Sequence, residues 1–527
     1  MSSPRLEDKR EAFGPGRKVA VIGAGISGVC AAAHLIKQGL QVTVFERSGV
    51  AGGVWHYDER VAEDPPYPNN TPSRGDYVVS KPGEFSFATP PPEHDPAAGE
   101  VAADPRRKSL PPSDLEVHFS PPGPCYAGLK NNVPTQLMVS SLEPWPEGTE
   151  SFVGQDKVEQ YIQGLASDHG VTAVTSFHTR VDEVRKTPDG TKWEVRTVAL
   201  EARDTGPRLN ERISYFDLVV VATGHYSMPR IPDTEGLKDW KEKFPSRVIH
   251  SKQYRSAEPF RGRNILIIGA GVSALDICRE AEDLGVKIYH SVRGGPWDIK
   301  ESFWPECVVR VGEVARYELR ADSDWQLDDE APIPGSVVLK DGQVLEGIHH
   351  VVVATGYITS YPFLPQLHSD DTPNAQAGED IVVAAEGDMT HNLHRDIFYI
   401  NDPTLAFIGV PYHVATFSLF DFQGQAVARA FAGKARLPSR EEMRREYQKR
   451  VEEKGLGRGF HSLATKGLEL EYVQGLVDWV NSSCPVPGEP PMKGHTEEWK
   501  RDYNERKEKV RLFRSRENAA EEGPKEQ

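Results

Sequence analysis

The sequence predicts an α/β chain built from two dinucleotide-binding, Rossmann-like units, the second inserted into the first. Three observations predict it. Two glycine-rich turns recur in one setting, "VIGAGISG" at Val21–Gly28 and "IIGAGVSA" at Ile267–Ala274, each after a short apolar strand and before helical spacing. Two more apolar strands flank the second turn and end alike, "DLVVVATGHYSMPRIP" (Asp217–Pro232) and "HVVVATGYITSYPFLP" (His350–Pro365). The chain has 527 residues, too many for a single core.

Residues 1–16 are polar and read as a flexible N-terminus, with neither a signal nor a transit peptide. In 17–47, "RKVAVI" is a short buried strand, "ISGVCAAAHLIKQGL" has helical spacing up to Gly39, and "QVTVFER" alternates as a second strand. Gly23 permits the tight turn, Gly25 lets the backbone approach a pyrophosphate, and Gly28 lets the helix pack on the strand. Ala24 completes the turn, and Ile26 and Ser27 open a helix whose N-terminus faces the phosphates. Glu46 follows Gly23 by 23 positions, where an acid accepts a hydrogen bond from a ribose hydroxyl. That pattern suits the adenosine of FAD.

Residues 60–125 are dense in proline and acidic ("EDPPYPNN", "TPPPEHDP", "PPGPC") and read as a long surface insertion. It either covers a substrate entrance or is a solvated loop. In the second unit, 263–293, Gly269 and Gly271 repeat the pattern, Ala274 replaces the third glycine, and Ser273, Leu275 and Asp276 lie at the helix start. Its second strand ends in Ser291 and Arg293 instead of an acid. A carboxylate there repels a 2′-phosphate, whereas arginine pairs with one, so this site is expected to take NADPH. One nucleotide then supplies a hydride and the other receives it. "VVLKDGQVLEG" reads as a hairpin turning at Asp341-Gly342, and 439–527 as mostly charged helix. The expected layout is an FAD-binding part at 17–224, an NADPH-binding part at 225–349, a second FAD-binding part at 350–510 and a charged tail at 511–527, with crossings near 224 and 350.

The net charge of −16 argues against a nucleic-acid or anionic-membrane surface. Five scattered cysteines without a C-x-x-C suggest reduced thiols, with no metal site and no dithiol centre. The uncharged run Pro403–Phe420 is interrupted by Pro411 and His413 and fits a strand, a turn and a helix start better than a membrane span. A soluble, cytoplasmic protein without a membrane anchor is expected, and its oligomeric state is left open.

Beyond these features the sequence resembles the flavin-containing monooxygenases, the soluble fungal type in particular. "AGGVWHY" after Glu46 matches the family's G-G-x-W through Gly52, Gly53, Val54 and Trp55, which lies along the flavin nucleotide. "FPSRVIHSKQYR" fits the family fingerprint at Phe244, His250, Tyr254 and Arg255, with Ser246 where glycine is usual. "YAGLKNNVP" resembles Y-x-x-L-x-x-N-x-P and places the active-site asparagine at Asn132, with Asn131 and Val133 beside it as cofactor contacts. "LFDFQGQAVARAFAGKARLPS" resembles the closing segment, with Gln423 in the F-Q pair. The matches run in family order from about 17 to 440.

The resemblance implies that NADPH reduces FAD and that dioxygen adds to the reduced flavin as a C4a-hydroperoxide. One oxygen atom then passes to a soft sulfur or nitrogen nucleophile of a small molecule, in a setting such as secondary metabolism, while the protein orients and shields the cofactors. Asn132 is the polar side chain placed against flavin and NADP⁺. A Baeyer–Villiger monooxygenase would end its fingerprint in Trp-Pro or Trp-Asp, and Tyr254-Arg255 speaks against it. An N-hydroxylase of amines or amino acids shares "ATGY" at Ala354–Tyr357. A catalytically silent NADP(H)-sensing regulator is the alternative outside enzymes.

Overall fold

A computed structural model describes residues 13–84, 112–201, 207–295, 298–320 and 330–521. The apolar runs become parallel strands buried on both faces, as their unbroken Val/Ile content dictates. Seven strands form the first sheet, in the order Leu393–His394, Phe398–Tyr399, Leu405–Phe407, Leu218–Val221, Lys18–Ile22, Gln41–Phe45 and Thr175–Ser176. Five form the second, in the order Val308–Val311, Lys287–Ser291, Asn264–Ile268, His350–Val353 and Val248–His250.

The repeated "VVVATG" now has a physical reason. In each unit that strand lies parallel beside the glycine-turn strand. A Cβ on Gly23 (φ +101°) would lie 2.7 Å from the Ala222 carbonyl oxygen, and one on Gly269 (φ +113°) 2.3 Å from that of Ala354. Each turn is wedged against its neighbour's end, and only glycine fits there. A Cβ on Gly28 would lie 1.9 Å from the Gly23 carbonyl oxygen, so the helix Ile26–Lys37 sits directly on its strand. Across that helix lies Thr416–Phe431, brought close at Gly424, whose Cβ would be 3.2 Å from the Ala31 backbone.

One sequence boundary is corrected. The strand His350–Val353 pairs with Asn264–Ile268 and Val248–His250, so it belongs to the second sheet and the return crossing comes after it, not at 350. The two crossings run side by side, Met228–Pro229 pairing antiparallel with Tyr357–Ile358. The described flanks of the proline-rich insertion are not a solvated loop. Tyr67, Asn69 and Ser80 are buried, and Asn69 donates to the Pro229 carbonyl at 2.7 Å. Asp76 is clamped between Arg47 (2.9 Å) and Lys252 (2.8 Å), tying the insertion to both units. Its centre, 85–111, lies outside the described residues, as do 1–12 of the N-terminus and 522–527 of the tail.

Other elements match expectation. Asp341-Gly342 lies between the antiparallel strands Gly335–Leu339 and Val344–Glu346. The 403–420 run forms the strand Leu405–Phe407 and the start of the helix Thr416–Phe431, and among the described residues no helix is long and apolar enough to cross a membrane. Of the C-terminal helices Arg440–Lys454, Leu468–Ser482 and Glu497–Glu521, the middle one buries Val473, Leu476, Val477 and Val480.

Candidate functional site

The first glycine turn forms a cradle closed by a second glycine segment. Gly52 and Gly53 both take positive φ, which lets "GGVW" pass over the turn. A Cβ on Gly53 would lie 2.8 Å from the Gly25 α-carbon. Val54 and Trp55 are half-buried, and Trp55 packs on the apolar cluster that holds Val29 and the helix behind the turn. The buried Glu46 carboxylate accepts from Ala24 N–H at 2.7 Å on Oε2, and from Ser48 N–H (2.8 Å) and Oγ–H (2.9 Å) on Oε1. An ionised carboxylate offers about four acceptor positions, so Oε2 keeps one for a ribose hydroxyl. Bare backbone on both sides, an uncapped helix start and one remaining carboxylate acceptor fit the long, flat dinucleotide of a flavin.

The second turn is more open. A Cβ on Gly271 would meet nothing within 4 Å, and Gly271, Val272 and Ser273 are exposed at the start of the helix Val272–Ala281. Ala274 and Leu275 point into the core, where alanine packs fully buried in place of the third glycine. Asp276 accepts from the Tyr126 hydroxyl at 2.7 Å. Ser291 is buried and donates to the Gly312 carbonyl at 2.9 Å, so its hydroxyl proton holds the neighbouring strand end. Arg293 is exposed and forms no ion pair among the described residues. Burial holds the nearby Arg230 below the usual arginine range, and the charges of Arg458 and Arg293 add to the effect against Asp388. An exposed Arg293 two residues past a strand that ends in serine instead of an acid, with Arg230 within its electrostatic reach, fits a nicotinamide dinucleotide carrying an extra phosphate.

Between the turns runs the loop that carries Asn131 and Asn132. The two neighbours have different tasks. Asn131 is buried: its amide donates to the carbonyls of Val133 (2.8 Å) and Ser151 (2.9 Å), and its Oδ1 accepts from Val153 N–H at 2.6 Å. It shapes the loop. Asn132 is exposed, and its side chain makes no hydrogen bond among the described residues. Val133 packs on the same apolar cluster as Trp55. Gln423 is fully buried, accepting from Gly409 N–H at 3.0 Å and donating to the Tyr472 hydroxyl at 2.7 Å. Gly409 in turn faces Ser27, whose Oγ would lie 2.7 Å from an added Cβ. Gln423 therefore braces the wall behind the first turn.

The fingerprint residues hold the units together. His250 is fully buried, accepting from Lys252 N–H on Nδ1 (3.0 Å) and donating from Nε2 to the Gly356 carbonyl (3.1 Å). Burial holds its pKa at about 3, so it is neutral. Tyr254 bonds Glu280 of the second unit's helix and packs edge-on to Tyr126 at 5.4 Å. Ser246 is exposed and is not among the residues with positive φ, so serine replaces the usual glycine without backbone strain.

Sequence reasoning missed a row of rings along the crossings. It runs from His250 to Tyr357 (5.4 Å), Tyr226 (5.4 Å), His225 (4.3 Å), Tyr412 (6.5 Å) and His413 (4.8 Å). Tyr226 is 46% exposed, so the row opens to solvent. Burial lowers the pKa of His225 to about 4. The signal was present in "ATGHY" and "ATGY", where each crossing leaves its sheet next to an aromatic residue.

Comparison with known proteins places this geometry in a family. The sequence pattern of the flavin-binding monooxygenase-like family matches residues 123–308 and 333–487, and that of an NAD(P)-binding Rossmann-like domain matches 21–80. The flavin-containing monooxygenase ustF2 of Aspergillus flavus is 41% identical over 92% of this chain and 95% of its own. The senecionine N-oxygenase of Tyria jacobaeae is 26% identical over 82% of this chain and 76% of its own. The solved structure of S-allyl-L-cysteine S-oxygenase from Allium sativum has the same fold, with a TM-score of 0.62 at 23% identity, covering 95% of this chain and 94% of that one. The chain belongs to the flavin-binding monooxygenase family, and is a flavin-dependent, NAD(P)-binding oxidoreductase.

Proposed function

We propose that this chain uses NADPH and FAD to place one atom of dioxygen on a sulfur or nitrogen of a small molecule. The observation that carries the reading is the contrast between the turns: the Glu46 carboxylate, bonded to Ala24 N–H, at the first, and the exposed Arg293, in place of an acid, past the end of the strand Lys287–Ser291 that follows the second. Bound FAD, reduced by NADPH, supplies the activation of dioxygen. The chain's own residues do the rest. The N-terminus of Ile26–Lys37 holds the flavin pyrophosphate and Glu46 a ribose hydroxyl. Arg293 pairs with the 2′-phosphate of NADPH. Asn132 offers one amide donor and one acceptor to the flavin and the retained nicotinamide. The ring row forms the wall of the substrate's approach, and its neutral His225 carries no proton to release at neutral pH, which keeps the oxidant from premature breakdown. Relatives named for S-oxygenation and N-oxygenation support sulfur or nitrogen as the acceptor.

The test is a screen of NADPH oxidation with product mass spectrometry across thioethers, thiols, amines and ketones. The expected result is a product heavier by one oxygen from a thioether, thiol or amine. A yellow protein that oxidises NADPH and adds oxygen to none of them would remove the reading.

A further inference from the structure

The family match ends at residue 487, yet the helix Glu497–Glu521 beyond it lies against the Asn132 loop. Trp499 and Tyr503 are buried and form a small cluster with Leu137 and Ala415, flanked by Val133. His495 stacks on Trp499 at 3.5 Å and extends the anchor. Three side chains donate to backbone carbonyls across this contact: Trp499 Nε1 to Leu137 (3.2 Å), Arg506 to Asn132 (2.8 Å) and Lys507 Nζ to Ala464 (3.3 Å). On the same side the buried Glu469 accepts from Ala415 N–H at 2.8 Å, at the start of the helix that carries Gln423. Arg506 and Lys507 both lie within electrostatic reach of that carboxylate.

We propose that the helix Glu497–Glu521 is a clamp on the candidate oxygenation site, with Arg506 as a positioning residue that fixes the Asn132 peptide through its carbonyl. The peptide it holds joins Asn132 to Val133, whose own backbone is restricted by Pro134. With the carbonyl pinned on one side and the Val133-Pro134 step stiff on the other, the peptide plane cannot turn, and the direction of the Asn132 side chain is set. Without Arg506 the plane turns, and the exposed Asn132 amide loses its aim. The proposal rests on the role given to Asn132 above.

The test compares Arg506→Met, which keeps the apolar stem and removes the guanidinium, with Arg506→Lys, each as the flavin-loaded full chain. Losing a charge-assisted bond should speed amide exchange in residues 131–139 by roughly tenfold or more in Arg506→Met. Flavin content should be unchanged, and a larger share of the NADPH consumed should end as hydrogen peroxide. Arg506→Lys should restore part of both. Adding Arg506→Met to Asn132→Ala should leave the peroxide share as it is in Asn132→Ala alone, because both act through one side chain. Unchanged exchange in Arg506→Met, or a peroxide share that adds in the double variant, would overturn the clamp. If Asn132→Ala itself leaves the peroxide share unchanged, the role given to Asn132 fails, while the exchange result still decides whether Arg506 holds the loop.

Discussion

Gly25 and Gly53 stand face to face, so close that a methyl on Gly53 would lie 2.8 Å from the Gly25 α-carbon and one on Gly25 3.4 Å from that of Gly53. The first turn and the "GGVW" segment thus form two bare backbone walls. Gly25→Val puts a branched side chain between them, in the space assigned to the pyrophosphate. The purified variant should be colourless, with the flavin absorbance near 450 nm lost. A folded variant carrying its full complement of FAD would mean that the first turn holds something else.

Arg293 is exposed just past the strand Lys287–Ser291, which ends in serine where an NAD-binding unit would carry an acid. Arg293→Ala should raise KM for NADPH far more than for NADH. Loss of one charge-assisted contact is about 1.5–3 kcal/mol, or roughly ten- to a hundred-fold. Steady-state kinetics with both nucleotides checks it, and an unchanged NADPH/NADH ratio would take Arg293 out of the site.

Asn132→Ala should leave reduction of the flavin by NADPH nearly intact and lower the oxygenated product formed per NADPH consumed. Its side chain is exposed and open to a ligand, whereas Asn131 is closed into its own loop. Stopped-flow spectra of the reduced enzyme mixed with dioxygen separate the two steps. A variant as well coupled as the parent would contradict the assignment.

Glu469 gives a pH signature. Burial raises its pKa from 4.5 to about 7, against the Ala415 N–H bond and the charges of Lys507 and Arg506. Between those values the folded chain keeps a proton that the unfolded chain has released. Stability therefore falls as pH rises from about 4.5 to about 7. Glu469→Gln keeps the acceptor for Ala415 N–H and removes the titration. Its melting temperature should gain on the parent from pH 5 to pH 8, by the equivalent of about 3 kcal/mol at the upper end. A difference that stays flat across that range would show that Glu469 titrates normally.

Much of this was legible because the signals are local. Each glycine turn is marked by a switch from strand to helical spacing around Gly23 or Gly269, and the acid at Glu46 and its absence near Arg293 are read at fixed offsets. What was not legible depends on partners far along the chain. Leu218–Val221 and His350–Val353 look alike, and only their pairing assigns them to different sheets. Asn131 and Asn132 are the same residue type side by side, and Ser151 and Val153 decide which one turns inward. The helix Glu497–Glu521 reads only as charged helix, because charge dominates its composition. Trp499 and Tyr503, four apart on one face, were the signal that it docks.

The most direct test of the central claim is turnover in isotopic dioxygen with NADPH and a substrate from the screen. One labelled atom should appear in a sulfoxide, N-oxide or N-hydroxyl product, in step with NADPH consumed. Label in an ester formed from a ketone, or no label in any sulfur or nitrogen compound while NADPH is consumed, would contradict the account.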